Sequence, residues 1–337
     1  MIANMVARPH VENFIRWAAD KPEVIVLSAD LTNSCEVGKW RDTYPDRFFS
    51  FGMAEQNMLG FAAGLAREGY RPYVHTFAVF IYRRPYDQLA MSIAYPNLPV
   101  RLIGFLPGVT TPGGVSHQAV EDIAIMRAMP NMTILDTGDA TEVESVLDVA
   151  HAIDGPVYVR MLRGEVPRLF PTTEPMQLGC SRLLSDGDDV TLLTSGIMTA
   201  EALRVTPVLR DRGIAVRHVH LSTLKPFGDD TVTNAVADAR HGVITLENHS
   251  VVGGVGSAVA ELIAEKMCGQ RLIRLGLQDT YAHGASQAYL LREYGLDARA
   301  LASAVERLVG HDLQISDDDI GVAQAVAVHS SAKAEAL

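Results

Sequence analysis

The stretch RFFSFGMAEQNMLGFAAGLAREGYRPYVHTF, residues 47–77, decides the fold. Its first part, FFSF (48–51), is a short β-prone run that Gly52 breaks. From about Met53, apolar and small residues recur at helical spacing, and YVHTF (73–77) then begins a new strand. Strand, turn, helix and strand follow one another within thirty-one residues.

Outward from this unit the rhythm repeats. VIVLSA (24–29), VRLIG (100–104), MTILD (132–136) and PVYVR (156–160) alternate with Ala/Leu-rich helical stretches. This pattern predicts an α/β fold with doubly wound, mostly parallel sheets and helices on both faces. The segment EVPRLFPTTEPMQLGCSR (165–182) carries three prolines and little periodicity, and the rhythm restarts at VTLLTS (190–195). A second, smaller unit follows: a helix over 197–211, strands at 214–221, 242–247 and 272–276, and a helix near 298–308. The expected organisation is a first domain over 1–165, a linker over 166–185, a second domain over 186–312 and a flexible tail over 313–337.

Composition narrows the function. Of 337 residues, 48% are hydrophobic and 20% charged, and no apolar run is long enough to span a bilayer. The N-terminus lacks the apolar core of a secretory signal, so a cytoplasmic location is expected. Three separated cysteines, Cys35, Cys180 and Cys268, fit neither a disulfide framework nor a zinc site. A net charge of -11 without a basic run excludes nucleic acid as the partner.

Glu55 falls in the first helical turn after the Gly52 break, at the carboxyl edge of the sheet, where open α/β folds bind ligands. The residues behind it, LGFAAGLA (59–66), carry no charge. Glu55 is therefore either a first-turn acid complementing the helix dipole or a functional carboxylate, and its neighbours decide which.

Five segments in order, GMAEQNMLGFAAGLAREGYRPYVHTFAVF (52–80), RPYDQLAMSIAYPNLPVRL (84–102), GVSHQAVEDIAIMRAMPNM (114–132), GPVYVRMLRG (155–164) and LENHSVVGGVGSAVAE (246–261), carry a resemblance. Together they resemble the pyrimidine-binding and C-terminal domains of transketolases and of 1-deoxyxylulose-5-phosphate synthase. The resemblance implies thiamine diphosphate as cofactor, with Glu55 hydrogen-bonding N1′ of its aminopyrimidine and so activating it. That role calls for apolar surroundings, which the helix offers. Phe77 and Phe80 resemble the aromatic wall on which that ring stacks, a contact worth about 0.5–1.5 kcal/mol beyond burial. Phe80 is the first choice for the stacking ring, and the plain alternative is that both are core. Asp30 matches a residue at the cofactor's edge. Arg83 replaces a further aromatic and is expected beside the cofactor.

His117, in the loop PGVTTPGGVSHQ (107–118), matches a histidine that binds the donor's oxygens. Arg163, with Arg8 and Ser34, matches a site for the acceptor's phosphate, a task suited to the planar guanidinium fork. The loop departs from ordinary transketolases. An acidic pair is replaced by Pro112 and Gly113, and a second histidine falls on Phe105 or Leu106, so the chemistry is expected to persist while the sugar preference changes.

The family's Gly-Asp-Gly segment with a later asparagine, which holds Mg²⁺ and the diphosphate, has no counterpart; SDGDD (185–189) and TGDATE (137–142) lack the motif. No metal ligand is therefore assigned to this chain. The resemblance instead implies an N-terminal-type partner subunit that holds metal and diphosphate, in an α2β2 heterotetramer. GGVGSA (253–258) lacks full dinucleotide-loop spacing and reads as a packing turn. The leading function is transfer of a two-carbon ketol unit from a ketose (phosphate) to an aldehyde. The alternatives are the β subunit of a thiamine-dependent 2-oxoacid decarboxylase or dehydrogenase, and a catalytically silent regulatory subunit.

Overall fold

The computed structural model describes residues 4–321. Runs such as VIVLS and RLIGF are buried along their whole length, as strands must be when helices cover both faces of a sheet. Six strands lie parallel in the order Thr133–Asp136, Val157–Met161, Arg101–Phe105, Arg71–Phe77, Val24–Ser28, Phe48–Ser50, the last an exposed edge strand. The second sheet has the order Leu272–Leu277, Gly242–Ser250, Val190–Ser195, Val216–Leu221, Arg182–Ser185, parallel except for the last strand. Both are doubly wound α/β layers, as the rhythm predicts.

Three features depart from the sequence reading. Thr223–Lys225, from the second half, adds an antiparallel edge strand beside Thr133–Asp136 of the first sheet. The expected linker contains structure: Glu165–Arg168 pairs with Asn4–Ala7, Arg182–Ser185 joins the second sheet, and Phe170 and Met176 are buried between them. The expected tail does not begin at 313, because Leu313, Ile315 and Ile320 are buried in the second core. Apolar side chains there outweigh the acidic composition around them. The remainder of that tail, 322–337, lies outside the described residues.

The two halves are locked by buried polar groups. Arg160, on strand Val157–Met161, bonds Asp122 at 2.9 Å, Asp136 at 3.0 Å and the carbonyl of Asn248, from the second sheet, at 2.9 Å. Glu142 joins His220 at 2.9 Å and Ser222 at 2.6 Å across the same boundary. These contacts hold the carboxyl of Glu142 down to about 2, although burial alone would raise it. Among the described residues no helix is long and apolar enough to cross a membrane.

Candidate functional site

Parallel pairing puts the carboxyl ends of neighbouring strands at one edge, and the side chains of interest follow those ends. Asp30 and Ser34 follow Val24–Ser28, Glu55 follows Phe48–Ser50, and Phe77 ends Arg71–Phe77. His117 follows Arg101–Phe105 and Arg163 follows Val157–Met161.

Gly52, at φ 63°, makes the turn that leads into the Glu55–Arg67 helix. The helix buries Glu55, Met58, Leu59, Ala62, Ala63 and Ala66 along one face at helical spacing. Glu55 is thus the first member of the apolar stripe, and it is only 2% exposed. Its Oε1 accepts a hydrogen bond from Arg84 Nη1 at 2.6 Å. The same guanidinium lies 4.2 Å from the centre of the Phe80 ring. A planar, N–H-bearing group therefore fits between the Glu55 carboxylate and the face of Phe80.

From Phe80 the cluster continues inward. Phe77 stacks beside it at 6.0 Å with 23° between planes, and the edge of His117 meets Phe80 at 5.5 Å and Phe77 at 6.1 Å. His117 Nδ1 contacts the Ser116 hydroxyl at 2.9 Å. Burial, and then the nearby Arg84 cation, lowers the imidazole from its ordinary value, which keeps it neutral at pH 7. Gly113 packs against this ring: a Cβ there would lie 2.9 Å from His117 Cβ. An acidic side chain at 113 would push His117 out of its place, so the lost carboxylate and the histidine's position are coupled. Phe105 is core, whereas Leu106 lines a cavity of about 490 Å³ shared with Arg163 and Glu201 at the boundary between the two halves.

Arg163 lies 5.9 Å from the Phe77 ring and donates to the backbone carbonyl of Ser34 at 2.5 Å. Arg8 is exposed, in a left-handed conformation, and its N–H bonds the carbonyl of Gly164. Ser34 thus orients Arg163 through its main chain. Asp30, also left-handed at φ 60°, is exposed at the end of its strand. Its backbone needs the short polar residue that this conformation tolerates.

One assignment is corrected. Arg83 is turned away from the cluster: Nε and Nη2 grip Glu121 at 2.6 and 2.9 Å, while Nη1 and Nη2 bond the carbonyls of Val115 and Gln118. With four hydrogen bonds made, it braces the His117 loop rather than the cofactor edge. The arginine at the carboxylate is its neighbour Arg84, to which no role was assigned from the sequence. A second basic residue past the Ala78–Tyr82 helix, adjoining Arg83, was the available signal. Among the described residues, no three His, Cys, Asp or Glu side chains are grouped to hold a metal ion.

Comparison with known proteins gives this edge its context. Residues 11–168 match the transketolase pyrimidine-binding domain and residues 179–301 the transketolase C-terminal domain. The chain is 40% identical over 291 residues to a putative uncharacterized transketolase family protein of Sinorhizobium fredii, covering 86% of this chain and 84% of that one. It is 35% identical to a putative transketolase C-terminal section of Methanocaldococcus jannaschii, covering 87% and 93%. It is 36% identical to the 6-deoxy-6-sulfo-D-fructose transketolase subunit SqwH of a Clostridium species, covering 89% and 92%. Among solved structures, one described as a split gene transketolase, inactive beta4 tetramer, superposes with a TM-score of 0.81 at 36% identity over 90% of this chain and 97% of that one. With both domains matched in order and relatives aligned over most of their length, the chain belongs to the transketolase family, of which it carries the pyrimidine-binding and C-terminal domains.

Proposed function

We propose that this chain is the pyrimidine-side subunit of a two-chain, thiamine-diphosphate-dependent transketolase. In this reading it transfers a two-carbon ketol unit from an anionic ketose to an aldehyde. The observation that carries the reading is the convergence of a buried carboxylate, Glu55, a stacked pair of phenylalanines and a neutral histidine at the carboxyl edge of one parallel sheet.

When bound, thiamine diphosphate supplies a nucleophilic carbon that adds to a ketose carbonyl and holds the electrons of the broken carbon–carbon bond. Glu55 accepts the N–H edge of the aminopyrimidine and, in its buried setting, exchanges a proton with it. Phe80, backed by Phe77, fixes the plane of that ring. Ser116 engages His117 Nδ1, which leaves Nε2 for a donor oxygen. Arg163, and Arg8 beyond it, receive the anionic end of the sugar. Asp30 stands at the rim of the same edge.

Mg²⁺ and the diphosphate are assigned to an N-terminal-type partner in an α2β2 assembly. Two observations support the partner. The C-terminal section and the sulfofructose transketolase subunit are each matched over more than nine-tenths of their own length, so similar chains exist as separate sections and subunits. The outer face of the Glu55 helix also holds an open apolar patch, in which Gly60, Phe61 and Gly64 are exposed between Gln56, Asn57 and Arg67, beside Met53 and, on the neighbouring segment, Met91 and Tyr95.

Mixing the chain with its N-terminal-type partner, thiamine diphosphate and Mg²⁺ is expected to produce ketol transfer that neither subunit shows alone. Glu55→Gln in the same mixture is expected to lose roughly 10²–10⁴-fold in turnover, the span of general acid–base contributions. Unchanged turnover in that variant would discard the mechanism, and full turnover by this chain alone would discard the partner.

A further inference from the structure

Arg83 and Arg84 are adjacent and differently bound. Arg83 makes four hydrogen bonds to Glu121 and the His117 loop. The Arg84 side chain is 46% exposed, and among the described residues its guanidinium makes a single hydrogen bond, to Glu55. Its other contact is the face of Phe80, 4.2 Å away. One arginine is fixed, and the other is free to leave.

The two contacts of Arg84 coincide with what the proposed cofactor ring requires. A guanidinium is planar, stacks on aromatic faces and presents N–H donors in its own plane. An aminopyrimidine bound to Glu55 must be planar, stack on Phe80 and direct an N–H at the same carboxylate. Both groups cannot occupy the space between Glu55 Oε1 and the Phe80 face. We infer that Arg84 is a built-in stand-in for the aminopyrimidine, closing the pocket from within until the cofactor's ring displaces it. This inference rests on the reading of Glu55 and Phe80 given under Proposed function.

The physical reason for such a device lies in Glu55. A buried carboxylate without a counter-charge is costly, and the helix N-terminus compensates only part of that cost. A chain that waits for a partner to deliver the diphosphate and metal has to satisfy this acid in the meantime. Arg84 does so from the solvent side, where the freed guanidinium is rehydrated and the N–H of the incoming ring takes its place at the buried carboxylate. The stand-in also subtracts from cofactor affinity in proportion to the population it holds closed.

The test uses the full chain and thiamine, which lacks the diphosphate and so probes the pyrimidine pocket without the metal. Binding is followed by ligand-observed NMR titration, and folding by thermal melts, for wild type, Arg84→Gln, Arg84→Lys and Glu55→Gln/Arg84→Gln. Arg84→Gln is expected to bind thiamine about fivefold or more tightly than wild type, while melting at a lower temperature. Arg84→Lys, which keeps the charge and loses the plane, is expected to fall between them. Affinity in Arg84→Gln equal to or weaker than wild type overturns the inference. A gain that persists in Glu55→Gln/Arg84→Gln upholds the closure by Arg84 but removes Glu55 as the ring's partner, so failure of the inference and failure of the functional reading give different results.

Discussion

Arg160→Met is the most direct test of how the two halves are joined. Arg160, Asp122 and Asp136 are each at most 1% exposed, and one guanidinium bonds both carboxyl groups as well as the Asn248 carbonyl of the other half. Removing one member of a buried ion pair costs about 3–5 kcal/mol, because the survivor stays buried and uncompensated. Two survivors sharing one lost partner place this variant near the top of that range. At roughly 2 °C per kcal/mol for a chain of this size, the melting temperature is expected to fall by about 8–10 °C at pH 7.5. The deficit should shrink at pH 5.5, since burial already holds Asp136 above the usual carboxylate range and the variant takes up a proton there more readily. Arg160→Met combined with Asp122→Asn and Asp136→Asn should recover most of the loss. Scanning calorimetry of the three proteins at both pH values checks this. A drop below 2 °C, or a triple variant as unstable as the single one, refutes the view that uncompensated charge is what the arginine prevents.

Two further predictions concern the site and pH. Gly113→Asp keeps an ordinary backbone, since φ is −69° there, but drives a Cβ to within 2.9 Å of His117 Cβ. The His117 ring resonances should move, and turnover of the reconstituted pair should fall on the order of 10²-fold, the cost of a displaced positioning group; unmoved resonances would contradict the coupling. Mild acid should destabilise the chain through its buried histidines. His75 and His218 are held down to about 3 by burial, and His10 well below its ordinary 6.5, so their contributions are complete above pH 6.5 and are lost as pH falls toward 3. Glu247, raised to about 7 by burial, opposes them between pH 4.5 and 7. His249, buried as well, is lowered likewise, so the buried rings outweigh the raised carboxyls and stability measured by urea unfolding is expected to fall between pH 6.5 and 4.5; flat stability across that window would refute the assignment.

Much of the fold was legible because its central strands are buried on both faces, so each reads as a continuous apolar run with a helix behind it. Glu55 was legible for the same reason, as the one charge on the buried stripe of its helix. Phe77, Phe80 and His117 follow strand ends that parallel pairing gathers without needing side-chain detail. Arg83 and Arg84 could not be told apart, because successive residues past a helix end point in directions set by Glu121 and Glu55, which lie far away in sequence. The strand Thr223–Lys225 has only three residues and no period of its own; its register exists only against Thr133–Asp136. Leu313, Ile315 and Ile320 were hidden by acidic neighbours, since composition averages over side chains that face opposite ways.

That short strand bears on whether the halves can be handled as modules. Lys225 extends the edge it forms, with its ammonium on the carbonyls of Arg127 and Met129, and Asp136 N–H is bonded by the Ser222 carbonyl. A fragment ended near residue 185 would strip this cover and leave the apolar strand Thr133–Asp136 with a row of open backbone donors and acceptors. Such an edge templates pairing with another copy. Dissecting the chain at its apparent boundary would therefore trade a monomeric first domain for an aggregating one, and a truncation meant to isolate the cofactor pocket has to retain residues 222–225 or supply a substitute for them.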